Sequence, residues 1–158
     1  VHARLGIAEE NSGKLVSLVR KEARSLAEAS DLRWIITDGP PGIGCPVIAS
    51  VGGASAVLIV AEPSVSGRHD LERVAELATH FNIPVLVCVN KADLYWQAAK
   101  EIEQSCVEKG WRFLGHLPFD PGVTKAQVEA KTIVESSDGP MKEAVISLWE
   151  RIQSALGM

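Results

Sequence analysis

Four stretches of this 158-residue sequence combine acidic, amide and glycine residues in ways that could bind a phosphate group or a purine base. The first is Asp38-Gly39-Pro40-Pro41-Gly42, which follows the apolar run Trp34-Ile35-Ile36. In α/β folds that handle phosphates, an Asp at the end of a buried strand holds a Mg²⁺ ion, usually through the water shell of the ion. The glycine after it frees a backbone N–H to approach a phosphate oxygen. The alternative is a strand that ends in an ordinary Asp-Gly turn.

The second stretch, Asn90-Lys91-Ala92-Asp93, fits the N-K-x-D pattern with which nucleotide-binding proteins read a base. An Asn amide can both donate to and accept from a purine edge, and an Asp carboxylate can accept two N–H bonds. The alternative is a strand followed by an Asn-Asp turn. The other two stretches are Glu62-Pro63-Ser64 and Pro118-Phe119-Asp120, which also follow apolar runs. All four are therefore expected beyond the carboxyl ends of parallel strands, where functional loops of such sheets lie.

The elements that must position these residues alternate along the chain. Apolar runs predict buried parallel strands at residues 33–38, 55–61, 85–89 and 113–117. Helical periodicity and breakers predict helices at 12–26, 46–53 (a short helix or turn), 96–108, 125–131 and 141–156. Another helix is predicted to begin at Ser66, its N-cap, with core-facing residues from Leu71 to Ala78. This alternation predicts one α/β domain over residues 1–158, with a doubly wound, mainly parallel sheet and helices on both faces.

Composition narrows the class of protein. The net charge of −4 gives no support to a nucleic-acid surface, and the apolar run at 54–61 is far too short to span a bilayer. The three cysteines, Cys45, Cys88 and Cys106, are an odd number without C-x-x-C spacing, which disfavours a disulfide framework or a complete metal site. We expect a reduced, cytoplasmic protein in which Cys45 and Cys88 are buried.

The motifs resemble those of the MinD/ParA/Mrp group of P-loop ATPases, and most closely the members that carry an inserted ferredoxin-like iron–sulfur domain. The resemblance rests on residues 10–16, 38–46, 62–70, 90–93 and 118–120. It implies that Asp38 organises Mg²⁺ and that the Gly42 backbone senses the γ-phosphate, so these two are the candidate catalytic residues. It also implies that Asn90 contacts the adenine. The residues expected to contact nucleotide are Gly39, Pro41, Asn90, Asp93, Pro118 and Phe119.

The sequence departs from this family in two respects. The family's phosphate loop with its signature lysine, and the ferredoxin-type cysteines after it, are both missing. Ser12-Gly13-Lys14 does not replace the loop, because Ala8 stands where Gly is required and Leu15 where Ser or Thr is required. We therefore expect the C-terminal portion of such an ATPase, with ATP and Mg²⁺ bound by the complete protein and a 4Fe–4S cluster only in a missing upstream segment.

Further expectations follow from this resemblance. The complete protein is expected to be a homodimeric ATPase, whereas residues 1–158 alone should not hydrolyse ATP. With the phosphate-loop strand missing, the strands at 33–38 and 55–61 are expected to pair directly. The last helix, in which basic and acidic residues balance, is expected to pack on the sheet and not to anchor a membrane.

Two other functions stay open. A GTPase is compatible with Asn90-Lys91-Ala92-Asp93, but the loop after the fourth predicted strand lacks a Ser-Ala-Lys-like base clamp. A non-catalytic α/β interaction domain would use the same loops to bind a partner protein.

Overall fold

The computed structural model describes residues 1–2, 12–136 and 138–158. These form two compact units, Val1–Ala54 and Ser55–Met158. The helices are α1 (Ser12–Ala29), α2 (Cys45–Val51), α3 (Val65–His80), α4 (Trp96–Glu108), α5 (Pro121–Val128), α6 (Ile133–Ser136) and α7 (Pro140–Ala155), and the strands are β1 (Val57–Ala61), β2 (Val85–Val89) and β3 (Arg112–His116). None of the helices among the described residues is long and apolar enough to cross a bilayer.

The first unit is built from α1 packed on α2. Among the described residues of this unit, the buried side chains are Ala27, Val47 and Val51. The Arg20 guanidinium donates hydrogen bonds to the carbonyl oxygens of Ala49, at 2.8 Å, and of Gly52. Carbonyls at the end of a helix have no partner within that helix, so Arg20 fixes the carboxyl end of α2 to α1.

The prediction of a strand at residues 33–38 is wrong. Residues 32–40 have no regular secondary structure, and the side chain of Ile36 is 79% exposed. A buried parallel strand needs a backbone ladder with a neighbouring strand, and the only strands found among the described residues are the three of the second unit. The expected direct pairing with the strand at 55–61 is therefore wrong as well.

The second unit contains a parallel sheet in the order β1-β2-β3. All five residues of β2 are buried, which requires a strand on each side and cover on both faces. Helices α3, α4 and α7 pack against the sheet. The predicted fold class, a parallel α/β sheet with helices, is confirmed, and so is the packing of the last helix.

The core of this unit is centred on β2. Val87, Cys88 and Val89 are completely buried. Cys88 forms an apolar cluster with Leu117 and with Met141 of α7. Burial raises the pKa of the Cys88 thiol from 9.0 to about 11, because a thiolate would lose its hydration there.

Some local predictions are corrected. The N-cap of α3 is Ser64, whose hydroxyl accepts a hydrogen bond from Gly67 N at 3.0 Å; Ser66 lies inside the first turn. Ser64 has an extended backbone, and the helix begins at the next residue, Val65. An N-cap residue has this conformation. Cys45 was expected to be buried but is exposed; it is the first residue of α2, whose buried residues are Val47 and Val51.

Candidate functional site

The sequence-predicted site residues fall into two groups that belong to different compact units. Asp38, Gly39, Pro41 and Gly42 lie in the first unit, and Asn90, Asp93, Pro118 and Phe119 lie in the second.

The Asp38 loop is an open, exposed segment that ends at α2. Asp38, Gly39, Pro41 and Gly42 are all exposed. Gly42 has φ of +91°, a conformation that glycine adopts without a steric penalty. A Cβ atom placed on Gly39 or Gly42 would meet no atom of the described residues within 4 Å, which leaves the backbone there open to a ligand as far as those residues are concerned.

The second group is assembled by the pairing of β2 with β3. Val89 and His116 are register partners, so the two strands end side by side. Leu117 N donates to Val89 O at 2.8 Å, and Ala92 N donates to Leu117 O at 3.0 Å. The loop that starts at Asn90 and the loop that contains Pro118 and Phe119 are therefore neighbours at the carboxyl edge of the sheet.

A side-chain hydrogen bond joins the same two loops. The Oδ1 atom of Asp93 accepts a hydrogen bond from Phe119 N at 2.7 Å. Asn90 is half-buried, and its Oδ1 atom accepts from Lys91 N at 3.0 Å. The Asn90 side chain also carries an N–H₂ group, which can donate two hydrogen bonds.

Sequence reasoning missed an ion pair at this edge. Lys91 Nζ lies 2.6 Å from Glu62 Oε1 and links the ends of β1 and β2. Lys91 has the left-handed φ of +55°, which only a few per cent of non-glycine residues adopt. The signal was present in the sequence, because Glu62 and Lys91 each follow the end of a strand predicted to lie in the same sheet.

The described residues can be compared with what a Mg²⁺ ion and a 4Fe–4S cluster each require. Mg²⁺ at nucleotide sites is commonly held by one or two carboxylates together with waters and substrate phosphates, and the exposed Asp38 fits that partial role. No group of three or more His, Cys, Asp or Glu side chains among the described residues could hold a metal ion by itself. A 4Fe–4S cluster requires four thiolates. The cysteines of this chain do not fit it, because they are three, and Cys88 and Cys106 are buried with thiol pKa values raised to about 11.

A cavity of about 500 Å³ lies along β3, and His116, Glu103 and Arg151 are among its lining residues. It includes none of the sequence-predicted site residues. His116 Nε2 is buried without a hydrogen-bond partner among the described residues and lies 3.7 Å from Glu103 Oε2. Arg151 Nη1 donates to Leu114 O at 2.7 Å and so covers the outer edge of β3.

The fold is similar to that of solved MinD cell division proteins, which confirms the fold expected from the resemblance. MinD from Aquifex aeolicus superimposes with a TM-score of 0.71 and 22% identity over 90% of this chain and 61% of that one. The cell division ATPase MinD of Pyrococcus furiosus gives a TM-score of 0.73 and 18% identity over 92% of this chain and 59% of that one. The Aquifex protein is also known in a MinC:MinD complex.

The chain is also similar in sequence to curated proteins. An uncharacterised protein of Methanocaldococcus jannaschii, MJ0578, is 27% identical over 94% of this chain and 49% of its own length. The cytosolic Fe-S cluster assembly factor NBP35 of Eremothecium gossypii is 21% identical over 80% of this chain and 44% of its own. The chain thus spans about half the length of the curated relatives it matches. No family model matches the sequence.

Proposed function

We propose that this chain is the C-terminal part of a MinD/ParA-like ATP-binding protein that works as a nucleotide-dependent switch. The observation that carries the proposal is the joined pair of loops after β2 and β3. These loops bring the Asn90 amide to the same edge of the sheet as Pro118 and the 47% exposed ring of Phe119. An amide at the same sheet edge as an exposed aromatic ring and a proline suits a purine base, which needs both hydrogen bonds and an apolar face.

In this proposal the two groups of residues have different roles. Asn90 contacts the adenine, and Pro118 and Phe119 form the wall of the base pocket. Asp38 organises Mg²⁺, and the Gly39–Gly42 backbone contacts the phosphates. In the complete protein, Mg-ATP is shared by two subunits, and hydrolysis resets the loop from Asp38 to Gly44.

Two observations support a longer functional protein: the greater length of the relatives, and the lack of a phosphate-binding loop among the described residues. The described residues contain no glycine-rich loop with a lysine that could hold the β- and γ-phosphates, which is the recurring part of phosphoryl-transfer sites in this class. We propose that the complete protein carries that loop elsewhere. A link to iron–sulfur chemistry rests on the resemblance to NBP35 and would involve cysteines outside this sequence.

The base-binding part can be tested with the 158-residue chain. We expect AMP to shift the backbone amide NMR signals of residues 90–93 and 117–119 in a saturable manner, with weak affinity because the phosphate loop is absent. Asn90→Ala should remove this response. Gln104→Ala, which removes an exposed amide on α4, should leave it unchanged. No shift at these residues at millimolar AMP would contradict the proposal.

The catalytic part needs a separate assay. We expect residues 1–158 to show no Mg²⁺-dependent release of phosphate from ATP above a no-protein control. Turnover by this chain would refute the requirement for an additional phosphate loop. We expect a longer protein that carries the phosphate loop upstream to hydrolyse ATP, and Asp38→Asn in that longer protein should abolish the activity.

A further inference from the structure

The outer edge of β3 lies in a groove between two helices. Among the described residues β3 is the last strand of the order β1-β2-β3, so one of its sides has no neighbouring strand there. The cavity of about 500 Å³ is lined by residues 113–117 along this strand, by Glu103 of α4 and by residues of α7 that include Leu148 and Arg151. The cavity therefore follows the open edge of the strand.

The backbone of His116 faces this groove. His116 is the register partner of Val89, and Leu117 N donates to Val89 O at 2.8 Å. Successive residues of a strand direct their backbone N–H and C=O groups to opposite sides. The N–H and C=O groups of His116 therefore point away from β2, where they can pair with another strand.

Two helices place opposite charges on the two faces of β3. Arg151 Nη1 of α7 lies 3.2 Å from the position that a Cβ atom on Gly115 would occupy, whereas Glu103 Oε2 of α4 lies 3.7 Å from His116 Nε2. Side chains of successive residues in a strand point to opposite faces. The guanidinium and the carboxylate therefore lie on opposite faces of the strand, beside its open edge.

Both charged groups can bind a ligand while they keep their present contacts. Arg151 Nη1 donates to Leu114 O at 2.7 Å, and a guanidinium has five N–H donors, so others remain for a carboxylate. The distance of 3.7 Å between Glu103 and His116 is too long for a hydrogen bond, and the Glu103 side chain is 45% exposed. Because Arg151 already binds the Leu114 carbonyl, an added strand would pair with the backbone of His116.

We propose that the outer edge of β3 is a docking site for an extended segment of a partner protein in which an acidic and a basic residue are adjacent. The segment adds beside β3 through backbone hydrogen bonds to His116. Its acidic side chain pairs with Arg151 on one face and its basic side chain with Glu103 on the other, because neighbouring side chains of a strand alternate between the faces. This inference does not depend on the proposed nucleotide function.

The first experiment uses two capped hexapeptides of identical composition, each with two Val, two Thr, one Glu and one Lys. In the test peptide Glu and Lys are adjacent. In the control peptide one Val separates them, so both charged side chains face the same way in an extended strand. Each peptide is titrated into the 158-residue chain while the amide NMR signals of residues 113–117 are followed.

We expect the test peptide to bind at least fivefold more tightly than the control peptide and to slow hydrogen exchange of the His116 amide at least tenfold. Equal affinities of the two peptides would overturn the proposal. So would the absence of shifts at residues 113–117 at millimolar test peptide.

Variants test the two charged groups separately. Arg151→Ala and Glu103→Gln should each weaken binding of the test peptide at least fivefold, because each leaves one charge of the peptide unpaired. The matched controls, Arg73→Ala on α3 and Glu101→Gln on α4, change exposed residues outside the groove and should leave the affinity unchanged. If Arg151→Ala fails to fold, Glu103→Gln still decides, and an unchanged affinity in that variant would overturn the proposal.

The oligomeric state of the free chain tests whether a second copy occupies the groove instead. We expect sedimentation velocity to show a monomer in which the His116 amide exchanges rapidly. A dimer that protects the His116 amide would assign the edge to a second copy of the chain and overturn docking of a partner segment.

Discussion

The three cysteines are divided between the two compact units. Their rates of alkylation therefore test how each unit is packed. Cys45 lies exposed in the first unit, whereas Cys88 and Cys106 are buried in the second. The thiolate is the nucleophile toward iodoacetamide. We therefore expect one fast and two slow alkylation events in the native chain.

The size of the difference follows from the burial of the two thiols. Burial raises the pKa of Cys88 and of Cys106 from 9.0 to about 11. At pH 8 each buried thiol then has about 100-fold less thiolate than the same thiol in the unfolded chain, because each pKa unit is a factor of ten in ionisation. The surrounding side chains also exclude iodoacetamide. Each buried cysteine should therefore be alkylated more than 100-fold more slowly in the native chain than in the unfolded chain.

The assay is intact-mass spectrometry over time at pH 8, followed by peptide mapping of the modified sites. In urea all three cysteines should react within the same period. Cys45→Ser should remove the fast event and leave the slow ones unchanged. Modification of Cys88 or Cys106 as fast as that of Cys45 would refute the packing described for the second unit.

Three further predictions concern stability. Ile102→Ala removes a fully buried side chain of α4 and should lower the free energy of unfolding by about 2–5 kcal/mol in urea titrations; Val107→Ala, on the same helix but 71% exposed, should change it by less than about 0.5 kcal/mol. Ser64→Ala should cost about 1 kcal/mol because the α3 N-cap is lost, and Ser66→Ala should cost clearly less; the reverse order would contradict the cap assignment. The raised pKa of Cys88 contributes stability that is present below pH 9.0 and lost as the pH rises to about 11, so the fall in the urea midpoint between pH 8 and pH 10.5 should be smaller in Cys88→Ala than in wild type.

Helices and strands with strong periodicity or clear boundaries were predictable from the sequence. The continuous apolar run Val85–Val89 and the helix Trp96–Glu108 have the predicted bounds. Gly110 follows the end of α4 and has a φ of +72°. A glycine is common at this position after a helix C-terminus. These elements are determined locally, because their side-chain pattern fits only one type of structure.

The sequence also placed Asn90 and Phe119 at strand ends, and therefore at one edge of the sheet. It could not state that Asp93 bonds to the backbone of Phe119 or that Lys91 pairs with Glu62. Each of these contacts joins residues 26 or 29 positions apart. They depend on the register of β2 with its neighbours, which is a property of the assembled sheet.

The segment at residues 33–38 shows the limit of local reasoning most clearly. Its apolar side chains and terminal Asp38 have the composition of a buried strand, and this is all that the sequence by itself determines. Whether such a segment becomes a strand depends on a neighbouring backbone that can complete its hydrogen bonds. Among the described residues no such neighbour is paired with it, and Ile35 and Ile36 are exposed. Sequence thus set the propensity of this segment, and tertiary structure alone decided its conformation, because a strand exists only in a sheet.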